Sequence, residues 1–544
     1  MIKVVSVAEI RQIEAEIDAH GIPYAELMQR AGRAIALRVI DFIHKVHIPP
    51  QEAKIAVFVG GGNNGGDGLV AARILKTEFH VAVRCYLTKA RPAGDPLLDA
   101  VRQAKIEVTS ASEDVQAQKL HDLLTASDIV IDAIYGIGIH LPLRAEGAQL
   151  LQNIHQSLVT ADERTPPIFQ MLDTPKTTKK RPYILAVDCP SGMDCDTGEA
   201  DEHTIHADET MSFIAFKHGH FRFPAAERVG KLTFVSLGVT TESSQLNDAP
   251  IQMVDDSYVR AGLPVRTVNG NKGTFGKLLI VGGSQSYSGA PLLAGSAGYH
   301  TGAGLVTIAV PESILPSLQG HLLEPTWISL RSPQGTVTAD AMQAILTAVS
   351  TYQAGILGPG LHQTDDTLEF IRAFLNHLAE NNVSARLVID ADALNQMAKI
   401  QDWSSHLPQT TIITPHPGEM SRLTQLPIET IQQKRLAVAS EYAKKWQVHV
   451  VLKGAHTVIA NPDGQVMLSP FKTTALAKAG TGDVLAGIIG GLLAQNVESF
   501  KAACIGVYLH GYAGTLAAEP PNHKRSILAS DVIHTLGRVF RELE

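Results

Sequence analysis

Acids at the ends of short apolar runs are the chemistry-bearing pattern in the first half of the chain. Asp132 closes DIVID (128–132) ahead of the glycine-bearing turn YGIG (135–138), and Asp188 closes ILAVD (184–188) ahead of PSG (190–192). Asp67 lies in GGGNNGGDG (60–68), a glycine turn that follows the run KIAVFV. Ligands of an open parallel sheet bind beyond the carboxyl ends of its strands, so acids from several strand ends can meet in one crevice. Gly60, Gly62 and Gly65 satisfy the dinucleotide pattern GxGxxG, but that fold wants an acid at the end of the next strand, about 20 residues on. Here the next strand ends CYLTKA (85–90). The turn also carries Asn63, Asn64 and Asp67, where a pyrophosphate loop would keep glycine and backbone donors near the anion. Amide and carboxylate oxygens suit a cation or a sugar hydroxyl better. Taken singly, each strand-end acid serves equally well as a loop or helix cap, and only their convergence points to a site.

The second half carries one strong signal, AGTGDVLAG (479–487), a glycine turn that opens an apolar helix. Free N–H groups and the positive end of a helix dipole bind anions, as a transferred phosphate requires. Asp483 falls in the first turn, within reach of a substrate hydroxyl whose proton it could take. The alternative is an acid that only compensates the helix dipole.

The elements that must position these residues follow from periodicity. A Ser6/Glu9 capping box opens the first helix, and Pro23 starts a second whose apolar positions Leu27, Ala31, Ile35, Val39 and Phe42 recur every three to four residues. β-branched runs at 54–59, 80–87, 128–134, 184–187 and 232–237 then alternate with helical stretches, the mark of a parallel sheet covered on both faces. Residues 156–181 are polar and rich in Pro, Thr and Lys, and read as a surface loop; TTESSQLND (240–248) reads as a linker. A second alternating series runs from KLLIV (277–281) to a last helix at 530–543. At 544 residues the chain exceeds what one core supports. The expectation is an α/β protein of two doubly wound αβα domains, 1–245 and 246–544.

Composition narrows the partners. Against 54 acidic residues stand 46 basic ones, a net charge of -8 without long runs, which argues for small soluble ligands and against nucleic acid. Cys85, Cys189, Cys195 and Cys504 form no CxxC pair, so no disulfide framework or zinc site is indicated and a reducing cytoplasm fits. No basic-then-apolar leader is expected at the start. The apolar stretch VLAGIIGGLLA (484–494) is about half of the roughly 20 residues a membrane helix needs, so a buried helix and no membrane are expected.

The motifs NNGGDG (63–68), DAIYGIG (132–138), DCPSGMD (188–194) and LMQRAG (27–32), with Phe216 and Lys217, resemble the NAD(P)H-hydrate epimerase family across nearly the whole first domain. The resemblance implies a Rossmann-like domain that interconverts the R and S forms of NAD(P)H hydrated on its nicotinamide ring. Asn64, Asp132 and Ser191 would hold potassium, a hard cation that wants oxygen ligands. Asn63, Asn64, Gly65, Gly66 and Asp67, with Gly136, Ile137, Gly138, Ile139, His140, Leu141, Pro142 and Asp188, would line the damaged nucleotide. Asp188 is the implied proton-transfer group. The chain departs from the family pattern in the 156–181 insert and at Gln29, where relatives often carry an acid.

The GTGD loop resembles ribokinase-like kinases. Its companions NKGTFG (271–276), GGSQSYSGAP (282–291), GPGL (358–361), DADAL (390–394), TPHPGE (414–419) and KGAHT (453–457) resemble the NAD(P)H-hydrate dehydratase family over residues 265–540. The implied reaction phosphorylates the ring hydroxyl of the S hydrate and eliminates phosphate, with ADP the usual donor in fused chains and Mg2+ accompanying it. Ala290, Gly360, His416 and Asp483 would contact the hydrate, with Asp483 the base. Lys453, Gly454, Ala455, His456, Thr457 and Gly482 would form the nucleotide site. His416 reads equally as a histidine fixed between two prolines for turn rigidity. KTTALAK (472–478) lacks an Asn that many relatives carry. The family also implies a homo-oligomer, a tetramer or larger. The competing reading is a kinase for a vitamin-type alcohol whose first domain is a non-catalytic binding module.

Overall fold

Side chains along Lys54–Val59 alternate between two apolar clusters, which fixes the layering of the first half. Ile55, Val57 and Val59 join one apolar cluster, while Ala56 and Phe58 join another on the opposite face. A strand buried on both faces reads as a continuous apolar run for this reason. In the computed structural model, which describes residues 1–114, 116–159, 181–239, 243–333, 335–349, 351–381 and 386–544, the chain divides into two compact units. They comprise residues 2–249, and 250–544 together with Met1.

In the first unit a parallel sheet runs in the order Glu107–Ser110, Ala82–Leu87, Lys54–Val59, Ile129–Ala133, Tyr183–Val187, Glu209–Phe213, Lys231–Val235. Helices Val7–Ala19, Tyr24–Lys45 and Asn63–Thr77 cover one face through Ile10, Ile13, Ile17, Ile35, Val39 and Leu75. Gln118–Ala126 and Ala145–Val159 cover the other through Leu120, Leu124, Leu151 and Ile154. The strand order reverses between Lys54–Val59 and Ile129–Ala133, the switch point at which such sheets bind ligands. The Ser6/Glu9 capping box is present, with Glu9 N donating to Ser6 Oγ at 3.2 Å and Ser6 N to Glu9 Oε2 at 2.6 Å.

Two sequence readings change. Residues 156–159 belong to the helix Ala145–Val159 rather than to a loop, and 160–180 of that insert lie outside the described residues. Of the proposed linker, 240–242 lie outside the described residues, and Ser244–Asp248 is a short helix capped by Ser243 Oγ, which accepts from Leu246 N at 3.1 Å. All four cysteines are free and buried, but Cys189 and Cys195 are hydrogen-bonded neighbours.

In the second unit the sheet order is Thr326–Leu330, Leu305–Pro311, Lys277–Val281, Ala354–Leu357, Arg386–Ile389, Ile412–Ile413, His449–Leu452, Val458–Ala460, Val466–Leu468, Ile251–Met253. It is parallel as far as His449–Leu452. Val458–Ala460 and Val466–Leu468 then pair antiparallel, so the sheet is mixed rather than wholly parallel. Its switch point lies between Lys277–Val281 and Ala354–Leu357. The apolar stretch 484–494 sits inside the helix Thr481–Ala494, with every residue from Val484 to Ala494 buried. A Cβ on Gly487 would come 2.3 Å from the Ala294 carbonyl oxygen, so glycine is what lets this helix lie against Gly289–His300. Val484, Leu485, Ile488, Ile489, Leu492 and Leu493 each contribute about 1.5–3 kcal/mol by leaving water. Among the described residues no helix is long and apolar enough to cross a membrane.

Candidate active sites

At the first switch point the glycines allow backbone to pass backbone. A Cβ on Gly60 would meet the Ile134 carbonyl oxygen at 1.8 Å, and one on Gly65 the Gly60 carbonyl oxygen at 2.1 Å. The helix therefore begins at Asn63, and Asn63, Asn64, Gly65, Gly66 and Asp67 form its first turns rather than a free loop as the sequence suggests. Asp67 stands four residues after Asn63 and three after Asn64, so it neighbours each of them across one turn of the helix. Asn64 Nδ2 donates to the Tyr135 carbonyl at 3.1 Å, joining this helix to the turn after Ile129–Ala133.

Asp132 is wholly buried at the end of that strand. Ser191 Oγ donates to its Oδ1 at 2.6 Å and Ser191 N to its Oδ2 at 2.8 Å, while Tyr135 N donates to Ser191 Oγ at 3.0 Å. Asn64, Asp132 and Ser191 are thus held together through Tyr135. Burial pushes the Asp132 carboxyl up to about 6, against the hydrogen bonds from Ser191 and Ile134. Among the described residues it has no ion-pair partner. A buried carboxylate without a counter-charge is costly, and a cation beside it removes that cost.

Asp188 caps the next strand with a positive φ of 64°, a conformation that costs a non-glycine residue about 1–3 kcal/mol and persists only where its surroundings enforce it. Those surroundings are explicit. Lys217 Nζ, Ser212 Oγ (3.3 Å) and Phe213 N (3.3 Å) all donate to Asp188 Oδ1, and His220 Nε2 bonds the Asp188 carbonyl at 2.9 Å. Lys217 is 1% exposed and also donates to Ser212 Oγ at 3.2 Å and Phe213 O at 3.3 Å. Its three hydrogens are spent on three acceptors, which fixes the head group in place. Burial pushes Asp67 well above the usual carboxylate range, with Asp188 and Glu14 adding to the effect and Lys217 opposing it. Glu14, on the first helix, is raised by burial and by Asp188, against Lys217 and Arg11. The loop 136–142 follows the Asp132 strand; Gly138, His140 and Pro142 are exposed, Ile139 is buried, and Gly138 faces Arg11. Sequence reasoning gave no role to Lys217 and passed over Glu14; an acid bordering the apolar stripe of Ile10, Ile13 and Ile17 was the available signal.

The second switch point gathers loops from five consecutive strand ends. Gly360, with φ 68°, abuts Ala290: a Cβ there would lie 3.1 Å from the Ala290 Cβ. Lys453 Nζ donates to Asp390 Oδ1 at 2.6 Å and lies 3.7 Å from Glu419 Oε2. Gly482, at the start of the buried helix, is close enough that its Cβ would lie 3.5 Å from Lys453 Nζ and 3.8 Å from Asp390 Oδ2. A helix N-terminus and an ammonium group therefore share one anion-binding position. Burial, then Asp390, push Asp483 up to about 7, with Lys453 opposing. Glu419 is likewise pushed up to about 7 by burial, against Lys453. Burial works to lower Lys453, but Asp390, Glu419 and Asp483 together hold it above its ordinary range.

His416 caps the helix Pro417–Thr424: its Nδ1 accepts from Gly418 N at 2.9 Å and Glu419 N at 3.3 Å, while His416 N donates to Glu419 Oε2 at 2.7 Å. Those bonds assign the ring proton to Nε2, on a side chain that is 51% exposed. Burial, Lys453 and Arg422 hold this imidazole below its ordinary value. His456 is buried, its Nδ1 3.1 Å from Ser469 O, and burial lowers it to about 4. Gly454 is exposed with φ 147°, Ala455 is half-buried, and Thr457 Oγ1 donates to Gly454 O at 2.9 Å. Asp390, within the DADAL motif, was assigned no role from sequence. Among the described residues no group of three or more His, Cys, Asp or Glu could hold a metal ion.

One doubly wound unit presents carboxylates around a fixed lysine, and another presents a helix N-terminus, a lysine and a raised carboxyl; together they define a two-domain α/β enzyme. Residues 24–219 match the family described as YjeF-related protein N-terminus, and residues 278–538 match NAD(P)H-hydrate dehydratase. The chain is 35% identical over 549 residues to the bifunctional NAD(P)H-hydrate repair enzyme Nnr of Moorella thermoacetica, covering 99% of this chain and 97% of that one. The protein of the same name from Escherichia coli K12 is 31% identical over 533 residues, covering 98% and 92%. The ADP/ATP-dependent NAD(P)H-hydrate dehydratase of Bacillus subtilis, co-crystallized with ATP/Mg2+, is similar at 33% identity and a TM-score of 0.46, over 54% of this chain and 99% of that one. The chain belongs to the family of bifunctional NAD(P)H-hydrate repair enzymes.

Proposed function

We propose that unit 2–249 interconverts the R and S hydrates of NADH and NADPH, and that unit 250–544 dehydrates the S form with ADP, leaving AMP and phosphate. The observation that carries this reading is Asp483, a raised carboxyl in the first turn of a helix whose N-terminus meets Lys453 and Asp390. Asp483 takes the ring-hydroxyl proton as that oxygen attacks the β-phosphorus of ADP, and AMP departs. The carbon–oxygen bond then breaks with its electron pair on phosphate, the adjacent ring carbon loses a proton, and the carbon–carbon double bond of NAD(P)H is restored. Lys453 and the N–H groups at Gly482 hold the phosphates; Ala290, Gly360 and the Nε2 proton of His416 position the hydrate. Mg2+ is usually held by one or two carboxylates together with substrate phosphates; Asp390 fits that role, and the ion would supply charge neutralisation there.

In the first unit Asp188 is the proton-transfer group and Asn63–Asp67 with 136–142 line the hydrate. Asn64, Asp132 and Ser191 fit potassium because they offer an amide, a carboxylate and a hydroxyl around a buried, uncompensated charge; the cation would balance Asp132 and fix the turn at Tyr135. Four free buried thiols fit a reducing cytoplasm, and a homo-oligomer is the expected assembly. The alternative, a kinase for a vitamin-type alcohol, is disfavoured by the full-length match to repair enzymes. Product analysis decides between them: S hydrate with ADP should yield AMP, inorganic phosphate and reduced nicotinamide in equal amounts. A stable phosphate ester without reduced nicotinamide would establish the kinase.

A further inference from the structure

The epimerase site contains more carboxylates than one proton-transfer group needs. Asp188, at the end of Tyr183–Val187, is ion-paired with Lys217 of Phe216–Lys217, and Asp67 from the helix Asn63–Thr77 and Glu14 from Val7–Ala19 lie within electrostatic reach of both, as Arg11 does of Glu14. Lys217 is committed to Asp188, through Oδ1 alone; Oδ2 has no partner among the described residues. The carboxyl of Asp67 has neither a hydrogen bond nor an ion pair among the described residues, although it lies one helical turn from Asn63 and Asn64. An acid paired with a fixed lysine and a second, unpaired acid beside it is an arrangement in which one group is ionised and the other holds a proton.

We propose that Asp67 is a second proton-transfer residue of the epimerase site, the acid that protonates the departing ring hydroxyl while Asp188 acts as the base for the water that returns. The inference rests on the epimerase reading above. In the first step the carbon–oxygen bond breaks with its electron pair on oxygen, the Asp67 proton joins that oxygen to form water, and the ring-nitrogen lone pair forms a carbon–nitrogen double bond. In the second, water adds to the opposite face of that carbon, the double-bond pair returns to nitrogen, and the released proton goes to Asp188. Transfer of that proton from Asp188 to Asp67 restores the resting site. Ionised Asp188 meanwhile opposes the positive charge of the ring, and the burial that raises Asp67 keeps it protonated until the hydroxyl leaves.

The test is Asp67→Asn in the full chain, assayed for interconversion of separated R and S hydrates across pH, with an unchanged urea-unfolding transition of the unit 2–249, the one ADP does not shift, as the control that the site is folded. The wild-type rate should fall at high pH as Asp67 loses its proton. Asp67→Asn should lower kcat for epimerisation by roughly 10²–10⁴-fold with a much smaller change in KM, and should lose the alkaline limb. Asp67→Glu should recover part of the rate. Retention of wild-type kcat and of the alkaline limb by Asp67→Asn would overturn the role of Asp67 and leave the epimerase reading standing. Absence of interconversion in the wild type would overturn that reading itself.

Discussion

Replacing Asp483 by Asn should abolish dehydration and at the same time stabilise the fold. As a base, Asp483 must be ionised, and its carboxyl is raised to about 7 by burial and by Asp390. The dehydration rate in the wild type should therefore fall as pH drops through about 7, approaching tenfold per unit below about 6. Asp483→Asn should lower kcat by roughly 10²–10⁴-fold at any pH while ADP still binds, since Lys453 and the N–H groups at Gly482 are untouched. The stability effect follows from the same displacement. Below an ordinary carboxylate value of about 4, folded and unfolded chains both carry the neutral acid, and nothing is lost. Between about 4 and about 7 the folded chain holds a proton that the unfolded chain releases, so stability falls as pH rises; above 7 the full cost is present. About three units correspond to ~4 kcal/mol as a ceiling, reduced by the partial exposure of the side chain to roughly 1–3 kcal/mol. Unfolding by urea at pH 5 and pH 8, using the transition that ADP shifts, should show the Asn variant gaining more at pH 8 than at pH 5. A variant that turns over at near wild-type rate, or that is no more stable at pH 8, would refute the reasoning.

Asp188→Ala should remove recovery of the R hydrate and leave ADP-dependent dehydration of the S hydrate intact, measured on separated epimers. Ser191→Ala deprives buried Asp132 of its 2.6 Å hydroxyl bond, so epimerisation should lose its response to added potassium, read by titrating KCl against a constant ionic strength. Gly487→Ala forces a Cβ to within 2.3 Å of the Ala294 carbonyl and should destabilise the second unit by about 1–3 kcal/mol, seen as a lower midpoint of the ADP-sensitive transition; an unchanged midpoint contradicts the close packing of those helices.

Much of this was legible in the chain, for reasons that differ by residue. Strands buried on both faces, such as Lys54–Val59, announce themselves as apolar runs, and the fully buried helix Thr481–Ala494 as an apolar stretch rich in glycine. Asp132, Asp188 and Asp483 were visible because strand and helix ends place acids predictably. What sequence could not show were the partners. Lys217 lies 29 positions from Asp188, and Lys453 lies 63 from Asp390, so only the crossovers bring them together. Local cues misled where helices extend into polar sequence: Asn63 opens a helix rather than a turn, and Ser243 caps one inside an apparent linker. The three-residue strands Val458–Ala460 and Val466–Leu468, which make the second sheet mixed, are too short to carry a period. His416 was read as a rigid turn or a direct contact, and it is also a helix cap, a role set by Glu419 three residues on.

In the proposed function one chain performs two successive reactions on the same damaged cofactor. The most direct test is purified R hydrate incubated with ADP, Mg2+ and K+, following the near-ultraviolet absorbance of reduced nicotinamide. The wild type should restore NAD(P)H fully, with one AMP and one phosphate per molecule, and a mixture of Asp188→Ala and Asp483→Asn chains should do so where neither variant succeeds alone. No restoration of absorbance from R hydrate by the wild type, while S hydrate is repaired, would contradict the account.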